Sequence, residues 1–360
     1  MVRVLLHERE RPVEVTVGSA VSATCDGRPL LGPAAWTVRW EANRGLLAIG
    51  DGRDTACRRL ELSAPAQPAA DGSCRGRAAF WLRVGTLERC HEGTLGVRAQ
   101  GGVLRLVLAL PLERYVASVL VSEAADAPPE ALAAQAVVTR SWALAHRRRH
   151  GDADACDLTH CQLYRGEQAP RADAAAARTA GQVLHGGGRP VPAFFHAACG
   201  GHTAGARAVF GESGPEAVPD LSPDGRPWCA EPAWTFEVDL RALATALALR
   251  PAGSVRVLGR TGDGRVRQVE AFGRVMSGPR FVAAVTRALG YGTLRSARFQ
   301  VRQEGERLRF SGEGRGHGVG FCQVGAAARA RAGQGYEALL RAYFPGAEVS
   351  APTRAISPPP

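Results

Sequence analysis

The chain has 360 residues, enough for one large domain or two ordinary ones, and its 45% hydrophobic content supports a packed core and excludes global disorder. Its net charge of +11 is carried without a single lysine, so every counted cation is an arginine, in a composition rich in Ala, Gly and Pro of the kind GC-rich coding produces. The charge is compatible with an anionic polymer surface, but no nucleic-acid motif accompanies it, and no window reaches the length of an apolar membrane span.

Residues 1 to about 100 read as short strands broken by turns: Val2–Leu6, Val13–Val17, Leu46–Ile49, Leu60–Leu62 and Ala79–Val84, with a loop from Ala64 to Gly72. Cys25, Cys57, Cys74 and Cys90 fall here and predict a β-rich unit stapled by one or two disulfides. A strand over Val103–Leu110 leads into Pro111, which suits a first helical turn, and a helix over Leu112–Glu123 is stopped by Pro128-Pro129. Pro129 opens a second helix to about Arg149, ended by Gly151. The run Arg147-Arg148-Arg149-His150 reads as its solvated, dipole-compatible terminus.

A loop holds Cys156 to Gly166, and a helix from about Ala172 to Ala180 is capped by Gly181. The glycines 186–188 between Val183–Leu184 and Val191–His196 predict a hairpin, and Gly262-Asp263-Gly264 between Ser254–Leu258 and Val266–Ala271 a second. A helix over Pro279–Leu289 and a strand pair, Ala297–Arg302 with Arg307–Phe310, come next. A Gly-rich loop over 312–325 precedes helices from about Gln323 and through Tyr336–Tyr343. The expected class is α+β with mostly antiparallel strands, divided into a β-rich region 1–100, a main region 101–347 and a disordered tail 348–360.

The N-terminus begins as a strand without the apolar core of an export signal, which read literally means cytoplasm. Nine cysteines, an odd number that excludes complete internal pairing, point instead to an oxidising compartment, a metal site, or both. The cysteines are the stronger signal, so a periplasmic or extracellular location is expected.

Glu123 is the first candidate for chemistry. Val116, Val119, Leu120 and Glu123 share one helix face by the i, i+3, i+4, i+7 rule, and a carboxylate on an apolar stripe is paired or partly desolvated. Desolvation raises its pKa, as a general acid near neutral pH requires; a Glu pointing to water beyond the last core turn is the plainer reading. On the second helix Gln135 and Thr139 lie one turn apart, and with Arg140 they interrupt an apolar surface that could line a cleft. Arg140 could equally be a structural ion-pair partner, and pairing with Glu123 would lower that pKa.

Cys156-Asp157-Leu158-Thr159-His160-Cys161 is the densest constellation. Two thiolates and an imidazole within one loop can reach a tetrahedral zinc and leave its fourth position open, with Asp157 as outer partner; a Cys156–Cys161 disulfide is the alternative. In Phe195 to Thr203, Cys199 precedes two glycines and has His196 and His202 on either side, a nucleophile pattern or a disulfide cysteine beside a tight turn. Gly314 to Gly320 lacks the ending of a phosphate loop; its glycines allow close backbone approach, with His317 facing a cleft or held structurally.

Five segments in order resemble the stage II sporulation protein D (SpoIID/LytB) family of bacterial wall proteins. They are Leu112–Glu123, Glu130–Ala143, Cys156–Tyr164, Phe195–Thr203 and Gly316–Ala326, within residues 100–346. The resemblance implies a lytic transglycosylase that cleaves MurNAc–GlcNAc glycan strands stripped of stem peptides, with Glu123 as acid/base and zinc at Cys156, His160 and Cys161. Gln135, Arg140, His196, His317 and Gln323 are the candidate substrate-binding residues. Peptidoglycan strands are the expected partner, with other wall hydrolases a further one. The chain departs from the family pattern at Ala124-Ala125, where Met-Pro is frequent, at Cys199, where Ser is usual, and at Cys322, which gives Cys199 and Cys229 disulfide options. Two other readings stand beside this one: a noncatalytic wall-binding or amidase-activating module, and a zinc- or thiol-dependent hydrolase of wall peptides.

Overall fold

Strict alternation builds the first sheet. Val103–Leu110 buries Leu104, Leu106, Leu108 and Leu110 and turns the intervening side chains outward, the period of two that a half-buried strand imposes. It pairs antiparallel with Val2–Leu6 on one side and Thr94–Gln100 on the other. Arg59–Ser63, Ser22–Cys25 and Arg28–Leu30 extend the sheet, and a short parallel pairing of Val4 and Leu5 with Ala155 and Cys156 closes its other edge. A six-stranded sheet follows the order Leu87–Glu92, Ala79–Val84, Glu14–Gly18, Ala35–Glu41, Leu46–Ile49 and Thr55–Cys57.

The computed structural model describes residues 1–6, 14–18, 22–30, 35–41, 44–49, 55–63 and 79–350. They form the expected α+β class, with strands in open, mostly antiparallel sheets and no barrel. The loop expected from Ala64 to Gly72 lies outside the described residues. Two compact units result: Met1–Ala125 with Ala143–Gly181, and Asp126–Trp142 with everything described from Gln182 onward. These units do not part near residue 100, because Thr94–Gln100 and Val103–Leu110 are hairpin neighbours in one sheet. Nor does the body end at 347, since Glu348–Ser350 pairs with Val183–Gly186 as a strand; the rest of that tail lies outside the described residues.

Helix α1 (Leu112–Ala124) buries Tyr115 to Leu120 and packs against α3 (Pro170–Arg178) in the first unit. Between them in sequence, α2 (Pro129–Ala145) is apolar on nearly every face and correspondingly buried. It stops four residues short of Arg149, where Arg148 takes a left-handed φ of 59° and the chain turns. Further along the chain come α4 (Ala206–Phe210), α5 (Leu240–Ala246), α6 (Gly278–Leu289), α7 (Gln323–Arg331) and α8 (Tyr336–Tyr343). Among the described residues no helix is long and apolar enough to cross a membrane.

The first expected hairpin forms only in part. Val183–Gly186 turns back into Arg189–Pro190, but Phe195–His196 leaves that sheet and runs parallel to Phe321–Cys322. The second forms as Val255–Arg260 with Val266–Ala271. In the sheet of Trp234–Asp239, Arg307–Gly312 and Phe299–Glu304, the ring of Phe310 meets Phe236, Phe281 and Phe299 at centroid distances of 6.1, 6.1 and 5.7 Å. Phe310 is fully buried. Phe310→Ala is therefore expected to cost about 3–5 kcal/mol, read from the urea unfolding midpoint. A loss below about 1 kcal/mol would mean that the site collapses around the missing ring.

Candidate functional site in the first unit

Glu123 sits in the last turn of α1, one turn beyond the buried run that ends at Leu120. Its side chain is half-buried, and its Oε1 accepts the backbone N–H of Leu163 at 2.9 Å. Burial raises its pKa above the ordinary carboxylate value, and that effect outweighs the hydrogen bond from Leu163 and the positive charge of Arg165, which both act to lower it. The carboxyl thus has a fixed orientation, an exposed portion and a proton held more tightly than usual.

The wall beside it is aromatic. The Tyr115 hydroxyl donates to Gln162 Oε1 at 3.0 Å, and the Tyr115 and Tyr164 rings stack with centroids 5.7 Å apart. Tyr164 in turn stacks on His91 at 5.9 Å. The segment carrying Gln162, Leu163 and Tyr164 is tied back by Tyr164 N–H to Asp157 O and by Asp157 N–H to Leu5 O, so the sheet edge positions the donor to Glu123.

The loop before it gathers four metal-type donors. His150, Cys156, His160 and Cys161 each offer a ligand atom within 4.8 Å of the others. His150 Nε2 lies 3.1 Å from Cys161 Sγ, and His160 Nδ1 lies 3.7 Å from Cys156 Sγ and 3.6 Å from Cys161 Sγ. Both cysteines are free thiols, so the disulfide alternative is not what this loop forms. Hydrogen bonding from the Cys161 thiol, with help from the Leu158 backbone and His160, draws the Cys156 pKa down to about 4. A thiolate is the metal-binding form of cysteine.

Two thiols and two imidazoles at this spacing fit a tetrahedral zinc set with all four positions filled by protein, which differs from the three-ligand, open site expected from the sequence. The missing fourth donor was His150, read as part of a solvated helix end. Its signal was available: it precedes Cys156 by six residues, and α2 ends early enough for the chain to double back, with His150 and Ala153 bridged.

The other predicted residues lie in the second unit. Gln135 and Arg140 are buried on α2, and Arg140 donates to the carbonyls of Ala136 and Gln182 rather than to a carboxylate. Gln323 is half-buried at the start of α7. His196 and His317 come together with ring centroids 5.7 Å apart. Burial lowers the pKa of His196 and takes that of His317 down to about 4, so both rings are neutral near pH 7. Cys199 is a buried free thiol whose pKa is pushed up by hydrogen bonding with Cys229 and Cys322 and by desolvation, which removes the thiolate that the nucleophile reading requires. Among the described cysteines, Cys25, Cys57, Cys229 and Cys322 are free as well.

The site thus joins a desolvated helix-end carboxyl, hydrogen-bonded to Leu163, with a loop of two cysteines and two histidines. Residues 100–185, the segment that carries both features, match the family model described as SpoIID, stage II sporulation protein. An uncharacterized protein of Brachyspira hyodysenteriae is 28% identical over 272 residues, 72% of each chain. Stage II sporulation protein D of Bacillus amyloliquefaciens is 27% identical over 268 residues, 67% of this chain and 74% of that one. The amidase enhancer of Bacillus subtilis matches at 40% identity over 58 residues, 16% of this chain and 8% of its own length.

Proposed function

We propose that this protein acts on the bacterial cell wall as a lytic transglycosylase of peptidoglycan glycan strands, with Glu123 as its acid/base. The observation that carries this reading is the Glu123 carboxyl, half-exposed, hydrogen-bonded to the Leu163 N–H and holding its proton above the usual carboxylate range. A protonated Glu123 gives its proton to the glycosidic oxygen as the bond from the MurNAc anomeric carbon breaks. The resulting carboxylate then takes the proton of the sugar's own hydroxyl as that oxygen closes the anhydro ring. Glu123 ends protonated again, its first proton now on the leaving sugar's oxygen, and no water is consumed. One carboxyl serves both steps, in contrast to the two that hydrolytic glycosidases use. The site fits a zinc ion held by His150, Cys156, His160 and Cys161, which would fix the loop that leads to Leu163. A wall substrate puts the site outside the cytoplasm.

Mass spectrometry of peptide-stripped strands after incubation with the purified protein tests the reading. The expected products end in anhydro-muramic acid, lighter by one water than hydrolysis products. Strands that are bound but left intact would favour a noncatalytic wall-binding or amidase-activating module, a reading supported by the 58-residue match to the amidase enhancer.

The pH dependence follows from the same carboxyl. Because its pKa is raised, the acid form persists to higher pH than in a free Glu, and turnover should fall as pH rises through that value. The stability linkage has the same sign: the contribution is present below the unfolded-state pKa and is lost as pH rises through the folded one. Glu123→Gln should therefore melt no lower than the parent at neutral pH. A lower melting temperature there would show that the ionised carboxylate stabilises the fold.

A further inference from the structure

The second unit carries a cluster of donors that the proposed glycan chemistry does not use. His196 and Cys322 are register partners in the parallel pair Phe195–His196 with Phe321–Cys322. One ring nitrogen of His196 and the sulfurs of Cys199 and Cys322 lie within 4.8 Å of one another. Cys229 packs in the same buried cluster as Cys199 and Cys322. All four side chains are buried, His196 at 4% exposure and the three cysteines at 3% or less.

We propose that Cys199, Cys229, Cys322 and Nε2 of His196 form a second binding site, buried in this unit, for one tetrahedral divalent ion of the zinc class. The inference goes beyond the glycan-cleaving reading and does not depend on it. Its first support is the state of His196. Nδ1 donates to the Val319 carbonyl at 3.1 Å, so the neutral ring carries its lone pair on Nε2. That buried Nε2 has no hydrogen-bond partner, a costly state in a packed interior. Metal-bound imidazoles characteristically donate their other N–H to a carbonyl or carboxylate in this way.

The second support is the environment of the sulfurs. Cys322 caps α7, its Sγ accepting the Gly325 N–H at 3.3 Å, and it also accepts the Cys199 N–H at 3.3 Å. Cys199 Sγ accepts the Gly201 N–H at 3.3 Å, a reach that the left-handed Gly200 and Gly201 (φ 71° and 95°) make available. Amide donors aimed at sulfur stabilise thiolates in metal–thiolate centres. A side chain at position 325 would strike Asp220 Oδ2 and the Tyr343 hydroxyl, so the close approach of α7 to the cluster requires glycine there.

The charge balance is workable. Asp220, fully buried, accepts the Cys199 thiol at 3.2 Å and Tyr343 Oη at 3.0 Å, and it is paired with Arg329 at 3.0 Å. When an ion binds, each S–H is exchanged for an S–metal bond and three protons leave to solvent. Arg329 continues to offset the Asp220 carboxylate beside the new thiolates. Three thiolates and one imidazole select zinc over hard, oxygen-seeking cations.

The test is metal stoichiometry after loading with zinc under reductant and gel filtration, read by plasma mass spectrometry. The unmodified chain is expected to hold about two zinc ions, and Cys229→Ser or Cys322→Ser about one. Cys156→Ser/Cys161→Ser, which removes the loop donors, should keep about one, and its cobalt form should show tetrahedral thiolate absorption that Cys322→Ser abolishes. If that double variant does not fold, the single variants of the unmodified chain decide. Stoichiometry unchanged by both Cys229→Ser and Cys322→Ser would overturn the proposal. Peptide mapping that finds two of the three cysteines joined as a disulfide in the loaded protein would overturn it as well.

Discussion

Glu123→Gln is expected to reduce release of anhydro-muramic products by about 10²–10⁴-fold, the range that a positioned acid/base contributes. The substitution isolates the proton. A glutamine Oε1 can still accept the Leu163 N–H, now at 2.9 Å from Glu123, so side-chain position and packing on α1 are kept. The amide supplies no proton near neutral pH and cannot take one from the attacking hydroxyl, so both halves of the reaction fail together. Binding of peptide-stripped strands should be unchanged, which sedimentation with insoluble glycan measures directly. Full product release by Glu123→Gln would move the acid elsewhere and end the role argued for this residue.

Loss of the zinc ion proposed for the loop should have the largest effect on stability. Structural zinc sites in small domains contribute apparent binding free energies of about 10–16 kcal/mol at pH 7, comparable to or above the whole stability of an ordinary domain. Here the four donors lie between His150 and Cys161, and the strand Ala155–Cys156 is parallel-paired to Val4 and Leu5 at the edge of the main sheet. Chelation of the zinc-loaded protein, or Cys156→Ser with Cys161→Ser, should therefore lower the melting temperature more than the Phe310→Ala core substitution does. The catalytic consequence is separate and has a distinct signature. Leu163 follows Cys161 by two residues and holds Glu123, so a loosened loop misorients the acid and lowers kcat with little change in KM. A chelated protein that melts and turns over like the loaded one would show that these four side chains hold no ion of consequence.

Much of the secondary structure was legible because local pattern and burial agree. Val103–Leu110 alternates strictly, Leu112 begins a helix after a proline, and Tyr336–Tyr343 presents a clear apolar face; each forms where its pattern predicts. The departures come where a partner distant in sequence decides. The sequence predicts a second helix to about Arg149, ended by Gly151, but it ends at Ala145, and the chain turns back to bridge His150 with Ala153. Val191–His196 looked like the return strand of a hairpin, yet Phe195–His196 pairs with Phe321–Cys322, more than a hundred residues away.

The candidate site divides in the same manner. From its sequence alone the chain declared a carboxyl at the end of an apolar helix stripe, a Cys-rich loop, and the ordered motifs of a family, because these are properties of residues near one another along the chain. Only the tertiary structure decided that Leu163 holds Glu123, that His150 joins Cys156, His160 and Cys161 in one cluster, that Arg140 is occupied by carbonyls, and that Cys199 and Cys322 meet beside His196. The physical reason is common to all four. Donor geometry and desolvation are set by which backbone segments pack together, and a periodic pattern says that a face will be buried without saying what will be buried against it.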